Sequence, residues 1–126
     1  IAGNNTVEYV GSSKKSVVIP SFVKQGGVRY KVTSIANNAF KNNKKLKSVV
    51  IGKNITKIGK KAFFGCQNLK KITIKTTKLK AKTVGAKAFT KAGSKNYGKM
   101  RVDVPKTKVD AYRNVLKGLD KKTRIS

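Results

Sequence analysis

The sequence predicts an α/β repeat solenoid, a coil of short parallel strands and short helical turns in which each unit stacks on the one before it. Three observations lead to this fold class. Apolar residues recur with a period of 23 residues, Ala-Phe pairs between them are typical of a short helical turn, and no unit could bury its apolar face alone. At least three stacked units are therefore expected to share one core.

The repeat is clearest when residues 32–54 are aligned with residues 55–77. The matched pairs are Val32/Ile55, Thr33/Thr56, Ile35/Ile58, Ala39/Ala62, Phe40/Phe63, Leu46/Leu69, Lys47/Lys70, Val49/Ile72 and Ile51/Ile74. Val50 has no apolar counterpart, because it aligns with Thr73. Residues 78–105 are expected to form a third repeat with insertions around 78–82 and 92–99. Residues 1–31 are expected to hold a partial repeat and a leading hairpin with its turn at Gly26-Gly27.

Each unit contains the line Leu-x-x-Val/Ile-x-Ile-x-x-Asn/Thr, which predicts a core strand. Residues two apart on a strand share a face, so Val49 and Ile51 should point into the core while Val50 points outward. Asn54 can hydrogen-bond the backbone where the chain leaves the strand, and Thr77 takes that place in the next unit. This pattern is the sequence motif of leucine-rich repeats.

Residues 106–126 are predicted to form a C-terminal cap, with a capping helix over the end of the third repeat, because a solenoid would otherwise expose its core there. Thr107 is expected to be the N-cap, with Asp110 in the capping-box place three residues later. The apolar face of this helix is expected at Val109, Tyr112, Leu116 and Leu119. Gly118 is expected to end the helix.

The N-terminal residues leave two interpretations open. Residues 6–10 alternate like a short strand, and they could be a degenerate first repeat or the result of a cut through a longer array. The first residues show neither an initiator Met nor a signal peptide, which favours the cut. Residues 1–126 are therefore expected to be a single leucine-rich repeat domain, the C-terminal portion of a repeat array.

The composition excludes most catalytic sites. The chain has no His, one Cys, and 4 Asp+Glu against 31 Lys+Arg, for a formal charge of +27. A Ser-His-Asp or Cys-His centre cannot be assembled, and Cys66 alone can form neither an internal disulfide nor a Cys-rich zinc site. Cys66 is expected to be a small packing residue. The sequence thus predicts no catalytic residue, no cofactor and no metal site.

The string V-T-S-I-x-x-x-A-F-K-N-x-x-x-L-K-S-V-x-I at residues 32–51 resembles the BspA-like leucine-rich repeats of bacterial surface and secreted proteins. A second match covers residues 55–74, and the resemblance extends over roughly residues 17–119. The resemblance implies a right-handed superhelix, an extracellular or cell-surface location, and binding to protein or matrix rather than catalysis. It supplies no fixed ligand and no shared binding residues.

The candidate binding site is the outward face of the core strands, since leucine-rich repeats commonly bind partners there. The outward positions are Lys47, Val50, Lys53, Lys70, Lys71, Thr73 and Lys75. Stacked repeats should place Lys47 near Lys70, which would form a short cationic ladder. Ordinary solvated surface charge is the competing interpretation.

The predicted function is a non-enzymatic, cell-surface or secreted bacterial module for adhesion or for interaction with protein or matrix. Its partner would be an unknown protein, a glycan or an anionic cell-wall polymer. Nonspecific nucleic-acid binding is the alternative. The 27 Lys and 4 Arg argue against sequence-specific recognition of nucleic-acid bases, because Lys is a hydrated point charge without Arg's bidentate fork.

No apolar run is long enough to span a membrane. A charge of +27 predicts a monomer, because like charges oppose self-association.

Overall fold

The chain coils so that its strands form two sheets, with a stack of turns between them. The computed structural model describes residues 6–96 and 99–126. The five-stranded sheet contains, in spatial order, β2 (Ser16–Ile19), β5 (Ser48–Ile51), β7 (Lys71–Ile74), β8 (Arg101–Asp103) and β9 (Arg124–Ile125), all paired in parallel. The second sheet contains β1 (Thr6–Tyr9), β3 (Phe22–Gln25), β4 (Val28–Ile35) and β6 (Lys57–Ile58).

The inner face of the five-stranded sheet forms one side of the core. Val49 pairs with Ile72 and Ile51 with Ile74, so the predicted 23-residue period sets the register between coils. Because alternate residues of a strand share a face, each coil adds two apolar side chains to the same inner rows. These rows contain Val17, Val49, Ile72 and Val102, and Ile19, Ile51, Ile74 and Val104, all of them buried. The predicted core strands are confirmed.

A column of aromatic rings fills the core beneath the turns. Phe40, Phe63 and Phe89 are buried and stacked, with ring centroids 5.1 and 5.2 Å apart. Tyr9 extends the column, since its ring centroid lies 5.8 Å from that of Phe40. Because β1 pairs in parallel with the end of β4, residues 6–9 occupy the place of a repeat strand. The predicted Phe plug is therefore present in three successive turns, at Phe40, Phe63 and Phe89.

The turns themselves are single hydrogen-bonded turns rather than short helices. Asn38, Lys61 and Lys87 occupy the same position in successive turns and have φ of 60°, 55° and 57°. A residue with positive φ cannot continue a right-handed helix, which explains why helical structure does not develop here. Backbone bonds join the turns instead: the Phe40 N–H donates to Ala62 O at 2.7 Å, and the equivalent Phe63 N–H donates to Ala88 O at 2.8 Å.

The third coil is longer than the second at the two places where insertions were expected. Ile58 follows Ile51 by seven residues, whereas Val84, its partner in the next coil, follows Ile74 by ten. The extra residues lie around the 3₁₀ turns Ala81–Thr83 and Ser94–Asn96. Residues 97 and 98, inside the second predicted insertion, lie outside the described residues. The register of the sheets is kept despite the added length.

The leading hairpin consists of β3 and β4, which pair antiparallel across Gly26 and Gly27. Both glycines have positive φ, 58° and 79°, as the tight turn of a two-residue hairpin requires.

The predicted role of Asn54 is also observed, since its side-chain amide donates to Ser21 O at 3.0 Å.

The prediction for Thr77 is wrong. Thr77 is exposed, and the preceding residue, Thr76, is buried and donates its hydroxyl hydrogen to Ile55 O at 2.6 Å. The reason is local backbone geometry: the chain makes a turn at residues 53–54 after β5 but not at the equivalent place after β7. The inward-facing position therefore comes one residue earlier in the second unit.

The C-terminal segment contains the 3₁₀ turn Lys106–Lys108 followed by α1 (Val109–Val115). Tyr112 and Leu116 are buried, Val109 and Leu119 pack against the core, and Lys117 O accepts a bond from the Phe89 N–H at 2.9 Å. Among the described residues, no helix is long and apolar enough to cross a membrane.

The predicted N-cap at Thr107 is wrong. Thr107 lies inside the 3₁₀ turn, and the residue before α1 is Lys108, which makes no side-chain capping bond. The 3₁₀ turn after Pro105 occupies the residues that the prediction assigned to the first helical turn, so the α-helix begins later. Asp110 still lies in the first turn of α1, where the helix dipole favours a negative charge.

The Tyr112→Phe variant is expected to lose about 1–3 kcal/mol of unfolding free energy. The Tyr112 hydroxyl donates to Thr76 O at 2.8 Å and accepts from the Leu79 N–H at 3.3 Å, so its removal leaves two buried backbone groups without a partner. Urea denaturation followed by circular dichroism measures the difference. Tyr30→Phe, a half-buried control on β4, should change stability by less than about 0.5 kcal/mol, and equal losses would contradict the argument.

Candidate functional site

The outer face of the five-stranded sheet, the predicted binding face, is built from two rows of side chains. Alternate strand residues point away from the core, and parallel register brings them side by side. The first row contains Ser16, Ser48, Lys71, Arg101 and Arg124, and the second contains Val18, Val50, Thr73 and Asp103. The face therefore combines a short apolar strip with a row that becomes cationic toward the C-terminal end of the coil.

Two of the predicted residues form the centre of this face. Val50 pairs with Thr73 across β5 and β7, and both side chains are half-buried. Val18, which pairs with Val50 from the other side, is 66% exposed. We call Val18 and Val50 the apolar strip, and Thr73 continues their row with a hydroxyl-bearing side chain.

Lys47 and Lys70 precede their strands and lie side by side. The Lys70 N–H donates to Lys47 O at 2.8 Å, as the repeat alignment predicts, and both side chains are exposed. Lys71 begins β7 and lies in the first row. Lys75 follows the same strand, is exposed, and donates its N–H to Ile51 O at 2.9 Å. These four lysines are exposed at the ends of β5 and β7.

Lys53 does not join this arrangement. It lies in the turn beyond Gly52, after β5 has ended at Ile51, and its side chain is exposed at the corner of the coil. Of the seven predicted residues, Val50, Lys71 and Thr73 lie in the outward rows. Lys47, Lys70 and Lys75 are exposed just outside the strand ends, and Lys53 lies in the turn after β5.

The sequence interpretation missed an acid on this face. Asp103 lies 3.7 Å from Lys71 Nζ and 3.6 Å from Arg101, and it accepts a bond from the Ser126 hydroxyl at 2.9 Å. Such exposed ion pairs contribute little to stability, but they neutralise part of the predicted ladder. The signal was available, because Val102 and Val104 point inward and Arg101 and Asp103 must then point outward.

Comparison with known proteins identifies the repeat. A family model described as BspA type leucine-rich repeat region matches residues 27–117 in six copies. The chain belongs to the BspA-type leucine-rich repeat family. The match covers both clear repeats, the third repeat and all of α1, so the predicted resemblance is confirmed.

Two solved structures share the fold of this BspA-type chain. A leucine-rich cell surface protein from Faecalibacterium prausnitzii matches 98% of the chain with 23% identity and a TM-score of 0.58. A leucine-rich repeat protein from Bacteroides capillosus matches all of it, with 17% identity and a TM-score of 0.64, over 91% of that protein. The chain spans only 35% of the Faecalibacterium prausnitzii chain. No curated protein matches the chain.

Cys66 of this BspA-type chain is a packing residue. Its side chain is fully buried, and its thiol donates to Phe40 O at 3.0 Å. Burial raises the pKa of the Cys66 thiol to about 12, so almost no thiolate exists at neutral pH. Among residues 6–96 and 99–126, no three His, Cys, Asp or Glu side chains come together in a way that could hold a metal ion.

The native protein is expected to resist thiol reagents. At pH 8, a disulfide-exchange reagent such as DTNB should leave Cys66 unmodified for as long as the fold persists, because both access and thiolate are lacking. In denaturing guanidinium, one thiol per chain should react. A Lys44→Cys variant provides the exposed control, and native Cys66 reacting as fast as that control would contradict the assignment.

Proposed function

We propose that this chain is a non-enzymatic interaction module that binds a protein partner through the outer face of its five-stranded sheet. The observation that carries the proposal is the apolar strip of Val18 and Val50, with Thr73 beside it, on a chain whose formal net charge is +27. Apolar centres with polar rims are typical of protein interfaces. The strands that present the strip are held in register by the coil, so the face is organised before a partner arrives.

The charges around the strip indicate the chemistry of the partner. Lys47, Lys70, Lys71 and Lys75 are exposed at the ends of β5 and β7, and Asp103 is the acid that pairs with Lys71. A partner with an acidic rim around an apolar patch would be steered toward the face and held in register by these charges. The net charge of +27 also opposes self-association, which supports a monomer at low salt.

The location that we propose is the bacterial cell surface or the extracellular medium. Membership of the BspA-type family supports this location, and the Faecalibacterium prausnitzii relative in fold is itself described as a cell surface protein. Fractionation of the native cell, with an antibody against this chain, tests the proposal. Recovery only in the cytoplasmic fraction would contradict it.

The proposal includes a right-handed coil with α1 as its C-terminal cap. Parallel strands joined by crossovers are right-handed in about 98% of cases, which supports the hand. The burial of Tyr112 and Leu116, together with the bond from the Phe89 N–H to Lys117 O, supports the capping role. The absence of His and the small number of carboxylates in the sequence support a non-enzymatic function.

The test uses Val18→Glu against a matched control, Val23→Glu, which places the same charge at an exposed valine on β3, outside the five-stranded sheet. A panel of purified extracellular proteins and duplex DNA is screened at about 0.1 M and about 1 M salt, between which the Debye length falls from about 10 to 3 Å. We expect saturable binding to a protein that persists in part at high salt and is lost at least tenfold in Val18→Glu only.

Two outcomes would contradict this function. Equal loss in both variants would show that only net charge matters. Binding to duplex DNA that ignores sequence, falls steeply with salt and exceeds binding to every protein would favour the nucleic-acid alternative.

A further inference from the structure

A lysine cluster lies along the turns, on a side of the coil away from the sheet face. It consists of Lys41, Lys60, Lys61 and Lys87, of which Lys61 is half-buried and the others are exposed. We call these residues the turn lysine cluster. All four acids of the chain lie elsewhere: Glu8 in β1, Asp103 in β8, Asp110 in α1, and Asp120 in the segment after α1. The charge of this cluster is therefore not offset within the chain.

The stacking of the turns sets the spacing of the cluster. Lys61 and Lys87 occupy the same position in successive turns, and the Lys61 N–H donates to Ala86 O at 3.1 Å. The aromatic rings directly beneath are spaced by 5.1 and 5.2 Å, which gives the rise from one turn to the next. Lys61 and Lys87 are therefore cationic positions on turns about 5 Å apart.

The backbone at these positions favours other residues. Lys61 and Lys87 have positive φ, as does Asn38 at the equivalent place in the first turn. A second positive-φ position is occupied by Asn42, Gly65 and then Lys91. Asn and Gly adopt this conformation most readily, whereas Lys in it carries a steric cost. Lysine at three of these six places therefore points to a use for its side chain rather than for its backbone.

The ammonium groups of the cluster repel one another. The nearby charge of Lys41 is the main cause that lowers the pKa of Lys61, followed by partial burial and by the charges of Lys87 and Lys60. A bound anion would relieve this repulsion. The cluster should therefore attract a negative ligand more strongly than a single surface lysine does.

An aromatic ring adjoins the cluster. Phe64 is half-buried, and Lys61 Nζ lies 5.5 Å from the centroid of its ring. The C–H face of a sugar packs well on such a ring, while an acidic group on the same sugar can reach the neighbouring ammonium. None of the four Arg, which would offer bidentate phosphate contacts, is in the cluster. One ring is also too few for the base-stacking platform of a single-strand binder.

We propose that the turn side binds an acidic polysaccharide, with its carboxylates or sulfates on the turn lysine cluster and one sugar face on Phe64. The rise of about 5 Å between turns is comparable with the length of one sugar unit in an extended polysaccharide. This site is separate from the sheet face and goes beyond the protein-binding function proposed above.

The experiment compares two variants that each remove three positive charges. The turn variant is Lys41→Gln, Lys61→Asn and Lys87→Asn, in which Asn suits the positive φ as Asn38 does in the first turn. The control variant is Lys47→Gln, Lys70→Gln and Lys75→Gln, on the sheet side. Titration calorimetry with polygalacturonate should show at least a tenfold loss of affinity in the turn variant and less than a threefold loss in the control.

The Phe64→Ala variant tests the sugar contact with a second ligand, inorganic polyphosphate. Affinity for polygalacturonate should fall several-fold while affinity for polyphosphate stays the same, because polyphosphate has no sugar face. Equal losses in the two lysine variants, no effect of Phe64→Ala, or tighter binding of a mixed-sequence oligonucleotide than of polygalacturonate would each overturn the proposal. The Val18→Glu variant of the sheet face should leave polygalacturonate affinity unchanged, so the two proposals can fail separately.

Discussion

Replacing Phe63 by Ala is expected to lower the free energy of unfolding by about 3–5 kcal/mol. Phe63 is fully buried, and its ring is stacked between those of Phe40 and Phe89 at 5.1 and 5.2 Å. Truncation removes contacts with both neighbouring coils at once and leaves a cavity in the middle of the column. The backbone around it cannot collapse freely, because the Phe63 N–H is bonded to Ala88 O in the next coil.

The neighbouring residue offers a matched control. Phe64→Ala makes the same chemical change one position along the chain, at a half-buried ring outside the core column. Phe64→Ala should lower the free energy of unfolding by less than half as much as Phe63→Ala. Urea denaturation measures the loss in both variants. Urea is preferred to guanidinium, whose ions would screen the repulsion of a +27 chain and mask the comparison. A similar loss in the two variants would show that the ring column is not what joins the coils.

Replacing Gly59 by Ala is expected to cost about 3 kcal/mol, the upper part of the range for overpacking. A methyl group at this position would lie 2.4 Å from Asn37 N and 2.5 Å from Ala36 C, which are backbone atoms of the preceding coil. Backbone cannot move aside as a flexible side chain can. The coils would have to separate locally, and that would strain the bond from the Gly59 N–H to Ile35 O, now 2.8 Å long.

Gly85 repeats this arrangement one coil later, with a Cβ position 2.4 Å from Lys60 N, so Gly85→Ala should behave like Gly59→Ala. Gly26→Ala is the control. Gly26 has positive φ but no atom within 4 Å of its Cβ position, so the substitution should cost only the conformational term of about 1 kcal/mol. Thermal unfolding at fixed salt compares the three variants. If Gly26→Ala were as destabilising as Gly59→Ala, close packing of the coils would not be the cause.

The parts of the fold that could be predicted are those carried by a strict period. Val49 and Ile51 repeat as Ile72 and Ile74, and one register then fixes which side chains point inward. The outward positions of Val50 and Thr73 follow from the same alternation. The hairpin at Gly26-Gly27 was predictable because its turn has a specific residue requirement.

The parts that could not be predicted depend on contacts between distant residues. β9 has only two residues, Arg124 and Ile125, and it exists because β8 offers a free edge. Thr107 has the residue type of an N-cap, but the 3₁₀ turn after Pro105 displaces the helix start. The turn lysine cluster was missed because positive φ at Lys61 is visible only in the folded backbone.

The hydrogen bonds that join one coil to the next depend on the register of the paired strands and not on the number of residues between those strands. Ten residues lead from Ile74 to Val84 where seven lead from Ile51 to Ile58, yet Ile58 still pairs with Val84 as Ile35 pairs with Ile58. The surplus is absorbed at an exposed corner, where loop length costs little. Codons for the residues of this corner can be gained or lost while the strands on either side keep their pairing. Arrays of unequal coil length can therefore arise from small in-frame insertions.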